Sequence, residues 1–78
     1  MEHKYIVVQS TYKNGEITRM GFGIAAVEDY DGVTTILESI LDISTDIESI
    51  ERLVKFCNNL QLDPIHLQDV VTGFLATF

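Results

Sequence analysis

Apolar residues in the first thirty positions fall in two runs separated by the polar stretch KNGE, a pattern typical of two β-strands joined by a turn. Residues 3–12 (HKYIVVQSTY) are rich in β-branched and aromatic residues, and a second such run covers 17–30. The dipeptide Asn-Gly at 14–15 lies between the two runs and is a strong hairpin signal. A two-residue turn at this dipeptide pairs Lys13 with Glu16, which is a favourable cross-strand charge pair.

A third strand follows a second turn signal, Asp-Gly at 31–32. The run VTTILESILD at 33–42 continues the β-type composition. A turn of the same length pairs Ala26 with Leu37. The register of this third strand stays open, because a loop longer than two residues would shift every pair.

The hydrophobic period changes to that of an α-helix after residue 45. The segment TDIE at 45–48 has the spacing of a capping box and predicts a helix over 46–60. A second helix is predicted over 64–77, with Asp63 as its N-cap and Pro64 in its first position. The apolar stripes of the two predicted helices are Ile47, Ile50, Leu53, Val54, Cys57 and Leu60 in the first and Leu67, Val70, Val71, Phe74, Leu75 and Phe78 in the second.

Together these elements predict a single domain over residues 1–78. Its class is α+β, a three-stranded antiparallel β-meander followed by two α-helices packed on one face. Two helices of this length are sufficient to cover one side of the sheet. The side expected beneath the helices carries Tyr5, Val7, Met20, Phe22, Ile24, Leu37 and Leu41.

The opposite side of the predicted sheet is also apolar, and we expect it to be a self-association face. A chain this short buries only about 60% of its unfolded surface, so pairing two such faces into a homodimer adds core area. Left in water, the face would be a larger apolar patch than most monomers expose. Glu38 falls on this side and is expected at the rim. The residues expected on the face are Ile6, Val8, Gly21, Gly23, Val27, Ile36 and Ile40, with Tyr12 and Ile17 beside them.

Gly21, Gly23 and Ala26 have the spacing of a dinucleotide-binding loop, G-x-G-x-x-A. Such a loop follows a parallel strand and opens a helix, whereas these residues fall inside a predicted antiparallel strand. We therefore interpret the two glycines as bare backbone, which another element or another chain can approach closely.

Charge and composition narrow the classes of partner. The chain has 12 acidic and 5 basic residues, and its net charge of −7 is spread over both halves without a basic patch. Because phosphate contacts provide most nonspecific affinity for nucleic acids, we expect no nucleic-acid partner. No apolar run approaches the ~20 residues that span a bilayer, so no membrane partner is expected. The single cysteine, Cys57, favours a reducing, cytoplasmic location.

Cys57, His66 and Asp69 are the candidates for a small-molecule or metal site. A zinc site takes three or four ligands, and Cys57 belongs to an apolar stripe, where a free thiol packs as a small hydrophobe. We interpret Cys57 as a core residue and His66 with Asp69 as a solvated pair. No catalytic residue, metal or cofactor is therefore expected, and Asn58, His66 and Asp69 remain a possible polar binding face.

The expected function is a nonenzymatic protein-interaction or self-associating module, with an unidentified protein as a possible partner. A small-molecule or metal-binding protein, with its site near Cys57, His66 and Asp69, is the alternative. A transcriptional regulator is a weaker alternative. The short connection between the two predicted helices is compatible with a DNA-binding helix-turn-helix. However, residues 64–78 contain neither Arg nor Lys, which such a protein uses to contact base edges.

Three segments of the sequence are distinctive: GIAAVE at 23–28, DISTD at 42–46 and LVKFCNNLQLDPIHLQDVV at 53–71. In these segments the chain resembles a family of small uncharacterised bacterial proteins from Gram-positive anaerobes, a domain of unknown function. TGF at 72–74 departs from the more acidic version typical of that family. The resemblance implies a short βββαα protein with no known activity and no catalytic residue.

Overall fold

The computed structural model describes residues 3–76, which form one sheet of three antiparallel strands and two α-helices. The α+β meander predicted from the sequence is confirmed, with the strands in the order β1-β2-β3. Phe78, predicted on the stripe of the second helix, lies outside the described residues. The elements are β1 (His3–Asn14), β2 (Ile17–Tyr30), β3 (Val33–Ser44), α1 (Ile47–Leu60), a 3₁₀ turn (Pro64–His66) and α2 (Leu67–Ala76).

Both helices pack on the sheet face to which the even-numbered residues of β2 point, here called the helix-covered face. Successive side chains of a strand point to opposite faces, so the odd-numbered residues of β2 define the second face. Among the predicted stripe residues, Ile47, Leu60 and Leu75 remain exposed. The buried cluster beneath the helices consists of Tyr5, Ile24, Ala26, Leu53, Cys57, Leu67 and Val71.

The first hairpin turns at Gly15 and Glu16, one residue later than predicted, and pairs Asn14 with Ile17. Gly15 has a φ of 68°, and a positive φ at the first turn position is typical of a type II′ turn. Lys13 therefore pairs with Thr18, and the predicted pair with Glu16 is wrong. The whole register moves by two residues, which leaves every side chain on its predicted face.

The second hairpin has the predicted two-residue turn, because Tyr30 pairs with Val33, but its register changes farther along β3. Val27 pairs with Ile36 and Ala26 pairs with Glu38, so Leu37 is an extra residue in a β-bulge. The predicted pair of Ala26 with Leu37 is therefore wrong, and Glu38 leaves the second face for the helix-covered face.

The same one-residue shift moves Ile40 to the opposite face from the predicted one. Ile40 pairs with Ile24 and packs against the buried cluster, so it is not part of the self-association face. Leu37, Leu41 and Met20, which were predicted beneath the helices, are exposed.

Gly21 and Gly23 lie against the chain's own β3, which crosses the second face near them. A Cβ atom on Gly23 would overlap the carbonyl oxygen of Ile40 and lie 2.8 Å from the Cα of Leu41. A Cβ on Gly21 would overlap the carboxylate of Asp42. The close approach predicted at these glycines is thus made by β3 itself, and the two glycines are not open backbone for another chain.

Side chains and backbone groups cap α1 at both ends. Asp46, rather than Thr45 of the predicted capping box, is the N-cap, and its carboxylate accepts hydrogen bonds from the Glu48 N–H and the Ser49 hydroxyl. At the other end Gln61 adopts a left-handed conformation, and the N–H of Leu62 donates to the carbonyl of Cys57. This cap turns the chain back towards β1.

We expect Gly23→Ala to destabilise the fold by about 2–3 kcal/mol or more, because the added methyl group meets the backbone of β3 and no side chain can move aside. Gly73→Ala is the matched control, since a Cβ there meets nothing within 4 Å and alanine is the better helix former by ~1 kcal/mol. Urea unfolding of the three proteins measures both effects. A Gly23→Ala variant as stable as the wild type would contradict the crossing of β3 over Gly23.

Candidate functional site

The second face combines a buried centre with exposed apolar edges. Ala25 and Val27 of the central strand are buried, and Val8 of β1 is half-buried. Ile36 on β3 is 63% exposed, and Leu41, whose Cα lies over Gly23 on this face, is 58% exposed. The second face comprises Ile6, Val8, Tyr12, Ile17, Ala25, Val27, Ile36 and Leu41.

Two bases and two acids accompany these residues on the second face. Lys4 lies opposite Val27, and its Nζ is 3.4 Å from Oδ2 of Asp29. The Thr34 hydroxyl donates a 2.5 Å hydrogen bond to Asp29, which lowers the pKa of that carboxyl, as the Lys4 ammonium also does. Arg19 and Asp42, whose carboxylate lies beside Gly21, add one base and one acid towards the other end of the sheet. Within residues 3–76 these four charges sum to zero on the second face.

A second group of polar contacts joins β1 to the end of α1. The N–H of Tyr5 donates to the side-chain oxygen of Asn58 at 2.7 Å, and the Asn58 amide nitrogen donates back to the Tyr5 carbonyl at 3.0 Å. The side chain thus makes the two hydrogen bonds that a neighbouring strand would make. Asn58, predicted in a polar binding face with His66 and Asp69, instead has its amide occupied by the edge of the sheet.

The carbonyl of Leu62 accepts two further hydrogen bonds from β1. The Tyr5 hydroxyl donates at 2.5 Å and His3 Nε2 lies at 2.7 Å, so this nitrogen carries the proton. The two rings meet edge to face, with centroids 5.8 Å apart. Burial, aided by Cys57 and Asp63, raises the pKa of Tyr5 to about 12, which keeps its hydroxyl a donor. These contacts, which sequence reasoning missed, fasten the edge strand to the helical layer.

Cys57 is buried, as predicted, in the same cluster as Tyr5. Burial raises the pKa of its thiol, so the reactive thiolate is disfavoured. His66 and Asp69 are both exposed, away from the buried position of Cys57. Across residues 3–76, no three His, Cys, Asp or Glu side chains are grouped closely enough to hold a metal ion.

The helices in the described part of the chain are too short or too polar to span a membrane.

A family model matches residues 1–77, and its description is a family of unknown function (DUF6514). The chain belongs to this family. The resemblance to a domain of unknown function is therefore confirmed, over a longer stretch than the segments that suggested it. No curated protein and no solved structure matches the chain.

We expect Asn58→Ala to destabilise the protein by about 1–2 kcal/mol, because the N–H and C=O of Tyr5 lose their partner. Asn59→Ala is the matched control on the same helix. The Asn59 side chain is exposed and makes no hydrogen bond to the described residues, so its change stays within about 0.5 kcal/mol. Denaturant unfolding gives both values, and equal stability of the two variants would refute the role of Asn58.

The Cys57 thiol should react far more slowly with a thiol reagent in the folded protein than after denaturation. Its burial blocks access, and its raised pKa reduces the thiolate fraction. Time courses with a chromogenic disulfide, with and without denaturant, measure the two rates. Comparable rates would show that Cys57 is accessible in the native state.

Proposed function

We propose that the protein is a nonenzymatic self-associating module whose two copies contact each other through the second face. The observation that carries this proposal is an apolar surface of zero net charge on a chain of net charge −7. The apolar side chains give the contact its driving force, and the charge balance makes a second copy the suitable occupant.

The exposed apolar residues of the second face are large and come from all three strands. Ile36 and Leu41 are the most exposed on β3, and Ile17 is similarly exposed on β2. Tyr12 and Ile6 on β1 retain a smaller exposed fraction. Burying one large apolar side chain contributes ~1.5–3 kcal/mol, so several of them together offset the entropy lost on association.

Charge favours a second copy over other occupants. Two acidic chains repel through most of their surfaces, because the entire net charge of −7 lies outside the second face. A two-fold contact through this face brings together surfaces with equal numbers of acids and bases. A basic partner would instead be attracted to the acidic remainder of the molecule.

The area of the face suits a weak dimer. Strands of 12 to 14 residues at ~3.3 Å each, spaced ~4.8 Å apart, give a face of roughly 600 Å² per copy. Two copies bury about 1,200 Å², at the lower limit for specific interfaces. We therefore propose a reversible association that concentration controls.

The proposal places the protein in the cytoplasm of a bacterium of the Gram-positive anaerobic type that the sequence resemblance suggested. Its free, buried Cys57 supports a reducing compartment, since disulfides form mainly in oxidising ones.

Ile36→Glu should convert a dimer into a monomer, because it adds a charge to each of two facing surfaces without disturbing a buried site. Ile65→Glu is the matched control, with the same substitution at a 77% exposed position on the 3₁₀ turn that joins the two helices. Sedimentation velocity across a range of micromolar concentrations gives the mass of each protein. Val8→Glu, at the half-buried centre of β1, should also dissociate the dimer.

Circular dichroism and urea unfolding establish that the variants remain folded. A wild-type protein that stays monomeric at high micromolar concentration would overturn the proposal. Equal dissociation by Ile65→Glu would show that the second face is not the contact.

A further inference from the structure

We propose that the two self-associating copies meet with their central strands running in opposite directions, so that Arg19 of each copy contacts Asp29 of the other. This inference rests on the self-association proposed above and specifies its geometry. The positions of these two charges on β2 carry it.

Arg19 and Asp29 are placed symmetrically about the middle of the second face. Both are odd-numbered residues of β2, so both side chains point to this face. Each lies five positions from Ile24 in the sequence, which is about 16 Å along the strand. The neighbours of Ile24, Gly23 and Ala25, form the buried centre of the face.

A two-fold contact between two such sheets has two extreme arrangements, which differ in the direction of the axis. An axis along the strands gives matched ends, and each residue of β2 then lies over the same residue of the second copy. Arg19 would face Arg19, and Asp29 would face Asp29. An axis across the strands at Ile24 gives exchanged ends and places Arg19 over Asp29 twice. Because facing like charges are unfavourable and facing opposite charges fix the register, the charges of β2 select exchanged ends.

Both side chains are available for this contact. Arg19 is exposed and makes no ion pair or hydrogen bond to the described residues. Asp29 is also exposed, with the Thr34 hydroxyl bound to Oδ1 and the Lys4 ammonium 3.4 Å from Oδ2. A carboxylate offers about four acceptor positions, so the arginine of a second copy can bind beside these two groups.

The crossing angle of packed sheets is compatible with the contact. Aligned sheets pack ~10 Å apart and cross at about 30°. At ~16 Å from the axis this crossing displaces one β2 from the other by about 8 Å, so the Cα atoms of Arg19 and Asp29 lie roughly 13 Å apart. An extended arginine, an aspartate and the hydrogen bond between them span this distance.

The other two charges of the second face fit the same arrangement. Lys4 lies beside Asp29 at one end of the sheet, and Asp42 lies beside Gly21 at the end that carries Arg19. With exchanged ends, Lys4 and Asp29 of one copy therefore meet Arg19 and Asp42 of the other. Each end of the pair stays neutral, and the central strands have no facing like charges.

Spin-label distances test the direction of the strands in the full-length protein. Thr18→Cys provides the label, because Thr18 is exposed, lies near one end of β2 and points away from the second face. Cys57 is buried and stays unlabelled. Exchanged ends should separate the two labels of a dimer by about 45 Å, whereas matched ends would separate them by about 25 Å. Pulsed electron spin resonance measures this distance at concentrations where sedimentation velocity shows a dimer.

Arg19→Ala combined with Asp29→Ala tests the contact itself, since the double variant keeps the second face at zero net charge. It should raise the Kd of the dimer about three- to tenfold, because two pairs of opposite charges between the copies are lost. With matched ends the same change would remove facing like charges and lower the Kd. The matched control, Glu51→Ala with Arg52→Ala, removes one acid and one base from exposed positions of α1 and should leave the Kd unchanged.

The outcomes separate this inference from the self-association on which it rests. A wild-type protein that stays monomeric overturns both. A dimer with a label distance near 25 Å, or a double-alanine variant that dimerises at least as tightly as the wild type, overturns only the exchange of ends. A label distance near 45 Å and a weaker dimer in the double-alanine variant, with an unchanged control, support the arrangement.

Discussion

The passage of β3 across Gly21 and Gly23 is the constraint on which the rest of the sheet depends. Only residues without a side chain let the backbone at Ile40 and Leu41 come so close to the central strand. β3 reaches this position through two register shifts, and the first one turns Ile40 into the core beneath the helices. The crossing therefore links the packing of one face to the shape of the other.

The crossing also determines which side chains the second face presents. It brings Leu41 over Gly23 and sets the Asp42 carboxylate beside Gly21, so the strand adds one apolar residue and one acid to this face. Without it, the face would carry the bases Lys4 and Arg19 against Asp29 alone. The same backbone geometry that fills the space over the glycines thus balances the charge of the surface proposed for self-association.

The fold class and the order of the strands and helices followed from local patterns, because hydrophobic period, turn dipeptides and capping residues are all short-range signals. The registers did not follow. Asn14-Gly15 was compatible with two turn types, and no residue in VTTILESIL identifies Leu37 as the site of a bulge. Ile40 was consequently assigned to the wrong face.

The contacts of His3 and Tyr5 with Asn58 and Leu62 were outside the reach of sequence reasoning for a different reason. They join residues more than fifty positions apart, and each residue type is ordinary in its own element. An asparagine near a helix end has a local explanation as a weak helix former. Only the docking of α1 against the edge strand shows that its amide replaces a missing strand.

The two edge strands of the sheet carry charges of opposite sign. β1 carries two bases and no acid, β3 carries two acids and no base, and the second face between them is balanced. A uniformly acidic sheet would repel a second copy. Because Lys4 and Arg19 offset Asp29 and Asp42 on the second face, one molecule can present a neutral apolar face although its net charge is −7. The charge balance of the face proposed for self-association and the acidity of the remaining surface act together, since repulsion elsewhere leaves the neutral face as the surface through which two copies can approach.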